Sequence, residues 1–272
     1  MFRSTVHYWR NIYQLQDLDS AIYQLRRSVA LKFVDKLNLP SESLILEIGC
    51  GAGLTTVALA QRGFQVHAVD TVDDMLALTN RAVREAAVGE RVKTWIADAH
   101  ALGLPDDSVD LVVAMGVVPW LQSLPKAMHE MARVVKPGGH VILTTDNFWC
   151  LHYLLDPLRF PGFQRFRWKL RKFLESFGLA APRAPRPHLS LYSIKQMDKF
   201  GRNAGMLKIE GKTLGFGPFT FFNQSLFSEK ISLGLHRALQ RLADSGFPVL
   251  RSTGIEYVVL ARKPAETHPR QN

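Results

Sequence analysis

Leu44-Ile45-Leu46-Glu47-Ile48-Gly49-Cys50-Gly51-Ala52-Gly53 is the stretch on which the fold turns. A branched apolar run ends in an acidic residue and three glycines at every second position, and a helix-like segment, Leu54 to Ala60, follows at once. The pattern reads as a strand, a tight turn of bare backbone and a helix start. Glycine is needed in such a turn where a ligand approaches the main chain or where φ is positive. A second strand-like run, Phe64 to Val69, ends at Asp70. An acidic group at the tip of the second strand is where a doubly wound sheet reads ribose hydroxyls. Together the two features indicate a nucleoside cofactor.

The dinucleotide fingerprint is G-x-G-x-x-G with a pyrophosphate on the helix N-terminus. Here the glycines read G-x-G-x-G, Leu54 stands where the third glycine of that fingerprint belongs, and Glu47 suits a cationic ligand better than a pyrophosphate. At these residues the chain resembles the class I S-adenosylmethionine-dependent methyltransferases, whose first motif E/D-x-G-x-G-x-G is matched by Glu47 to Gly53. Further features follow in the family's order: Asp70, then Ile96-Ala97-Asp98-Ala99 at the end of a third strand, a fourth strand over Asp110 to Met115, and the turn Val134 to Gly139 before a fifth strand, Val141 to Thr144. The resemblance covers roughly positions 28 to 146. It implies an α/β fold: a doubly wound, Rossmann-like, seven-stranded mixed sheet with helices on both faces and two substrate-side insertions.

The resemblance also implies S-adenosyl-L-methionine as cofactor and assigns its contacts. Gly49, Gly51 and Gly53, with Cys50 in the same loop, let the methionine part lie on the backbone. Glu47 orients the loop or meets the ammonium through water. Asp70, with Thr71 beside it, accepts both ribose hydroxyls. Asp98 and the Ala99 N–H meet the adenine, and Met115 borders the cofactor at the end of the fourth strand.

Composition bounds the rest. The chain has 272 residues, 47% hydrophobic and 21% charged, which fits one α/β domain with insertions. No apolar run approaches the roughly eighteen residues of a membrane span, and the start lacks the apolar stretch of a secretory signal. Two cysteines are too few for a disulfide framework or a zinc site, so a cytoplasmic protein without a metal is expected. The net charge is +10, and residues 148–192 hold eight bases against two acids, over half of that excess.

Along the chain, residues 1–40 read as a helical segment with an apolar face at Ile22, Leu25, Val29, Phe33 and Leu37. Residues 41–263 form the methyltransferase-like domain, with insertions at about 148–192 and 215–250, and 264–272 form a polar tail. The first insertion is aromatic and basic, with a helix expected over Phe163 to Phe177, and Ser193 caps a later helix over Ile194 to Ala204. The second insertion carries five phenylalanines within twelve residues, Phe216, Phe219, Phe221, Phe222 and Phe227. With Phe148, Trp149 and Tyr153 they are expected to line an apolar acceptor pocket.

Methyl transfer is an in-line displacement in which alignment does most of the work, so the sequence marks the cofactor better than the catalyst. An oxygen nucleophile of high pKa needs a base, and His188, His152, Tyr192 and Asp146 lie in or beside the first insertion. The expected activity is O-methylation of an apolar or aromatic small molecule. The alternatives are a sugar, nucleotide-sugar or nucleic-acid acceptor, or a non-catalytic scaffold. The region after the fourth strand, Ala114 to Trp120, lacks the N/D-P-P-Y/F motif of base-amino methyltransferases, which argues against nucleic acid. The basic aromatic segment 159–172 is a candidate for contact with a membrane surface.

Overall fold

A computed structural model describes residues 17–163 and 191–265, with positions 166, 168, 169, 172, 173 and 176 between them. Tyr8, Trp9, Tyr13, His188 and most of the expected 163–177 helix lie outside the described residues.

Seven strands form one mixed sheet: β1 (Leu44–Ile48), β2 (Gln65–Asp70), β3 (Val92–Ile96), β4 (Val109–Ala114), β5 (Val135–Asp146), β6 (Leu207–Leu214) and β9 (Glu256–Arg262), in the order β3-β2-β1-β4-β5-β9-β6. The first five run parallel, and β9 lies antiparallel between β5 and β6. A separate hairpin pairs β7 (Thr220–Phe221) with β8 (Gln224–Ser225). The helices are α1 (Leu18–Lys36), α2 (Leu54–Ala60), α3 (Asp73–Glu85), α4 (Leu124–Val134), α5 (Leu151–Leu155), α6 (Ile194–Asn203) and α7 (Glu229–Asp244).

Strand alternation separates two cores. Ile45, Leu111, Val113 and Val258 face the layer that holds α1 and Leu59 of α2, while Leu46, Val112, Ala114 and Val259 face the layer of α4 and Met197 of α6. β5 begins earlier than the sequence suggests. Val135 pairs with Val109 and His140 with Leu111, so Lys136 to Gly139 is an extra loop of backbone within the pairing rather than a turn before it.

α1 starts at Leu18 because Asp17 caps it, its Oδ1 accepting the Ser20 N–H at 2.8 Å. Its buried face differs from the expected stripe. Leu25 and Leu37 are only half-buried, and Arg26 takes a place on the buried face with Ile22, Val29 and Phe33. α6 carries a full capping box between Ser193 and Gln196. α7 anchors the second insertion with polar groups: His236 Nδ1 accepts the Phe216 N–H at 3.1 Å and Gln240 Oε1 the Gly215 N–H at 2.9 Å. Among the described residues no helix is long and apolar enough to cross a membrane.

Candidate active site

Strand order reverses between β1 and β4, and a crevice opens there at the carboxyl ends of the strands, as topology dictates. A cleft of about 410 Å³ occupies it. Nine of the ten residues the sequence assigns to a cofactor line this cleft: Glu47, Gly49, Cys50, Gly51, Asp70, Thr71, Asp98, Ala99 and Met115. Gly53 does not. It precedes α2 at φ +78°, and a Cβ there would stand 2.8 Å from Thr79 Cα of α3, so close helix packing requires the glycine. Gly51 has φ +56° with nothing within 4 Å of where its Cβ would point, which leaves bare backbone facing open space.

Asp70 ends β2 and fixes that loop. Its Oδ2 accepts the Gly51 N–H at 3.1 Å and its Oδ1 the Val72 N–H at 3.0 Å. Burial raises its pKa, and the backbone N–H groups of Gly51, Val72 and Thr71 oppose that rise. Asp98 is more exposed and holds a local turn, its Oδ1 accepting the His100 N–H at 2.8 Å and meeting His100 Nδ1. These contacts hold its carboxyl below the usual range. His100 Nε2 in turn accepts the Ser123 N–H at 3.1 Å.

Glu47 is buried beneath the loop, and its Oε2 accepts from Thr56 Oγ1 of α2 at 2.5 Å. Burial pushes its carboxyl from an ordinary 4.5 up to about 8. The folded protein therefore holds a proton there at neutral pH that the unfolded chain has released. Between about pH 4.5 and 8 the native state binds more protons, so stability falls as pH rises through that window. In the cofactor-free protein, Glu47→Gln removes this slope. Urea unfolding at pH 5 and pH 8 should show the wild type losing about 3 kcal/mol more than the variant.

The structure adds cleft residues that sequence reasoning missed, chiefly Arg26, His100 and Trp120. Arg26 is the decisive one. A Cβ on Gly116, at the end of β4, would lie 3.0 Å from Arg26 Nη1, so that glycine lets the guanidinium approach. Arg26 Nη1 donates to Glu256 Oε1 of β9 at 3.1 Å, and both side chains are buried.

Glu256 lines a second cavity, of about 220 Å³, together with Tyr23, Asp146, His152, Tyr153 and Pro218. Arg26 thus stands at the junction of the two spaces. Burial raises the Asp146 carboxyl, and Arg26 opposes the rise. His152 is 8% exposed, with the Pro218 backbone as its polar neighbour and neither ring nitrogen in a well-formed hydrogen bond. Burial and nearby Arg159 lower its pKa, and the Pro218 backbone opposes that shift. Tyr192 is placed elsewhere, its ring edge-on to Phe200 at 5.6 Å.

The expected phenylalanine-lined pocket is not what forms. Phe216 is buried in a satellite core with Ala243 and Leu250, and Phe221, Phe222 and Phe227 are exposed. That stretch gives the second cavity Gly217 and Pro218 instead, and its walls are mixed polar and apolar.

A family model described as a methyltransferase domain matches residues 46–143. The malonyl-[acyl-carrier protein] O-methyltransferase of Halorhodospira halophila is 36% identical over 134 residues, 48% of this chain and 44% of that protein. The chain thus spans less than half of that relative's length. The ubiquinone biosynthesis O-methyltransferase of Hydrogenovibrio crunogenus is 23% identical across 69% of this chain and 72% of its own. Among solved structures, Haemonchus contortus phosphoethanolamine N-methyltransferase 2, in complex with S-adenosyl-L-methionine, superposes with a TM-score of 0.61 at 18% identity, covering 96% of this chain and 57% of that one. At that identity the likeness speaks for the fold.

Proposed function

We propose that the chain, whose residues 46–143 match a methyltransferase domain, is a class I S-adenosylmethionine-dependent methyltransferase that methylates an oxygen of a small hydroxylated acceptor held in the second cavity. The chemistry of the first cleft supports the cofactor. With Glu47 protonated, Asp70 and Asp98 still outnumber the single arginine of its lining, which suits a sulfonium and an ammonium better than a pyrophosphate. Gly51 offers bare backbone, and Asp70 retains lone pairs for ribose hydroxyls. When bound, S-adenosylmethionine supplies an electrophilic methyl group. The protein's task is to align an acceptor and take its proton.

The observation that best supports the acceptor reading is His152, a buried imidazole on the wall of a cavity whose ring nitrogens make no well-formed hydrogen bond. Buried polar groups are satisfied in the great majority of cases, so an orphaned imidazole calls for a ligand. A hydroxyl placed there donates to the imidazole, which then accepts its proton as the oxygen is alkylated. Tyr23, Tyr153 and Pro218 supply flat apolar walls for an aromatic or other apolar body, and Asp146 accepts a second hydroxyl. Both relatives described above are named as O-methyltransferases, which agrees with an oxygen acceptor.

The test is transfer of a labelled methyl group from S-adenosylmethionine to a panel of phenolic, polyol and carboxylate acceptors. His152→Gln should lower kcat roughly a hundredfold on any accepted substrate, with affinity for S-adenosylhomocysteine unchanged. Unchanged kcat would remove His152 from catalysis. Cofactor binding without transfer to any oxygen acceptor would move the reading to nitrogen.

A further inference from the structure

The β7–β8 hairpin exposes what a folded chain ordinarily hides. Its turn is Phe222-Asn223, with φ +50° and +62°. Two consecutive positive φ values define the tight hairpin turn usually made by Asn-Gly, and a phenylalanine at such a position is conformationally costly. The costly residue is also displayed: Phe221 is 46% and Phe222 52% exposed, their rings edge-on at 4.7 Å. Leu155 and Leu158 of the neighbouring segment and Leu226 after the hairpin are exposed as well.

These residues form one surface because Asp156 ties the two segments together. Its Oδ2 accepts from Thr220 Oγ1 at 2.6 Å and from the Asn223 N–H at 3.0 Å, and its Oδ1 accepts the Leu158 N–H at 2.9 Å. Asp156 is itself buried and satisfied by these three donors, and exposed Asp19 lines the second cavity with Arg159. The exposed base is Arg159, whose Nε donates to Asn223 Oδ1 at 2.9 Å. Farther along the same basic insertion, exposed Lys172 lies over the exposed Trp168 ring at 4.5 Å.

We propose that this face, with the Phe221-Phe222 tip as its wedge, docks on an anionic lipid bilayer. Aromatic rings flanked by bases match the interfacial zone, where rings enter the headgroup layer and guanidinium and ammonium groups meet lipid phosphates. The charge complementarity rests on the exposed bases Arg159, Lys169 and Lys172, in a stretch whose sequence, 148–192, carries eight bases against two acids. The rigid Asp156 ties present the tip without a folding cost at the moment of contact. Arg159, Gly217 and Pro218 border both this face and the second cavity, so a docked protein has that cavity beside the lipid surface.

The experiment is sedimentation with sucrose-loaded phosphatidylcholine vesicles, with and without phosphatidylglycerol, in low and high salt. The wild type should sediment with the anionic vesicles, less so in high salt. Phe221→Ser/Phe222→Ser should bind them roughly tenfold more weakly while keeping its affinity for S-adenosylhomocysteine. Phe222→Trp should shift its emission to the blue when those vesicles are added. Wild type that stays in the supernatant with both vesicle types overturns the proposal. So does a double variant that binds as well as wild type, which would place the attraction elsewhere. A dimer in the absence of lipid that the double variant dissociates would assign the face to a second copy of the chain. No outcome depends on which acceptor is methylated.

Discussion

Asp70→Ala raises the dissociation constant for S-adenosylhomocysteine by roughly two orders of magnitude, measured by calorimetric titration of the folded protein. The argument starts from lone pairs. Each carboxylate oxygen of Asp70 already accepts one backbone N–H, from Gly51 and from Val72, and each can accept one more. Two ribose hydroxyls fill that capacity. Hydrogen bonds to a charged group contribute about 1.5–3 kcal/mol each, so losing two costs about a hundredfold or more in affinity. Alanine also frees the Gly51 N–H, which is otherwise held in the loop the ligand must meet. Asp70→Asn separates the two effects, since its amide keeps one acceptor oxygen. The asparagine variant should bind between wild type and alanine. An alanine variant that binds like wild type would mean that the cleft does not take a nucleoside.

Arg26→Met is expected to cost the fold about 3–5 kcal/mol at pH 8, the range for breaking a buried ion pair from one side. Glu256 is then left buried without its partner, beside the buried Asp146. The pH dependence follows from Glu256, which burial pushes up to about 7 even with Arg26 in place. Its unfolded value is near 4.5, so the native state binds the extra proton between the two values and stability declines as pH rises through them. Without Arg26 the carboxyl rises further, and the variant's defect should shrink on going from pH 8 to pH 5, where Glu256 is protonated. Arg26→Met/Glu256→Gln should recover most of the loss, because a neutral pair leaves no buried charge. Chemical unfolding of the four proteins at both pH values checks this. A double variant no more stable than Arg26→Met would place the cost elsewhere than in the unpaired carboxylate.

The lining of the first cleft was legible in sequence because its pattern is local. Nine assigned residues sit at the carboxyl ends of β1, β2, β3 and β4 or in the loops that follow them, each marked by residue type at a fixed place after an apolar run. Gly53 shows the limit of that reading, since a glycine required for helix packing looks the same as one required by a ligand. The second cavity was not legible because its partners are remote. Arg26 lies four residues after Ile22 on the buried face of α1, where a search for apolar spacing passes over it, and Glu256 is 230 residues away. Phenylalanine content likewise says that rings seek an apolar place but not which one. Phe216 found the protein interior, and Phe221 and Phe222 found the surface. The Lys136-Pro137-Gly138-Gly139 stretch has turn chemistry, yet the strand pairs on both sides of it, which residue preference cannot reveal.

The position of β9 between β5 and β6 has a consequence for the order in which the molecule can be assembled. On the ribosome β6 emerges about forty residues before the strand it pairs with, so it waits unpaired while β5 presents an open edge. The parallel half of the sheet, with the whole nucleotide-type cleft, can close on a nascent chain that ends shortly after Asp146. The junction at Arg26 cannot, because Glu256 arrives with the last strand. The first cleft and the second cavity are therefore completed at different moments of synthesis, and the final strand both seals the sheet and brings Glu256 to Arg26.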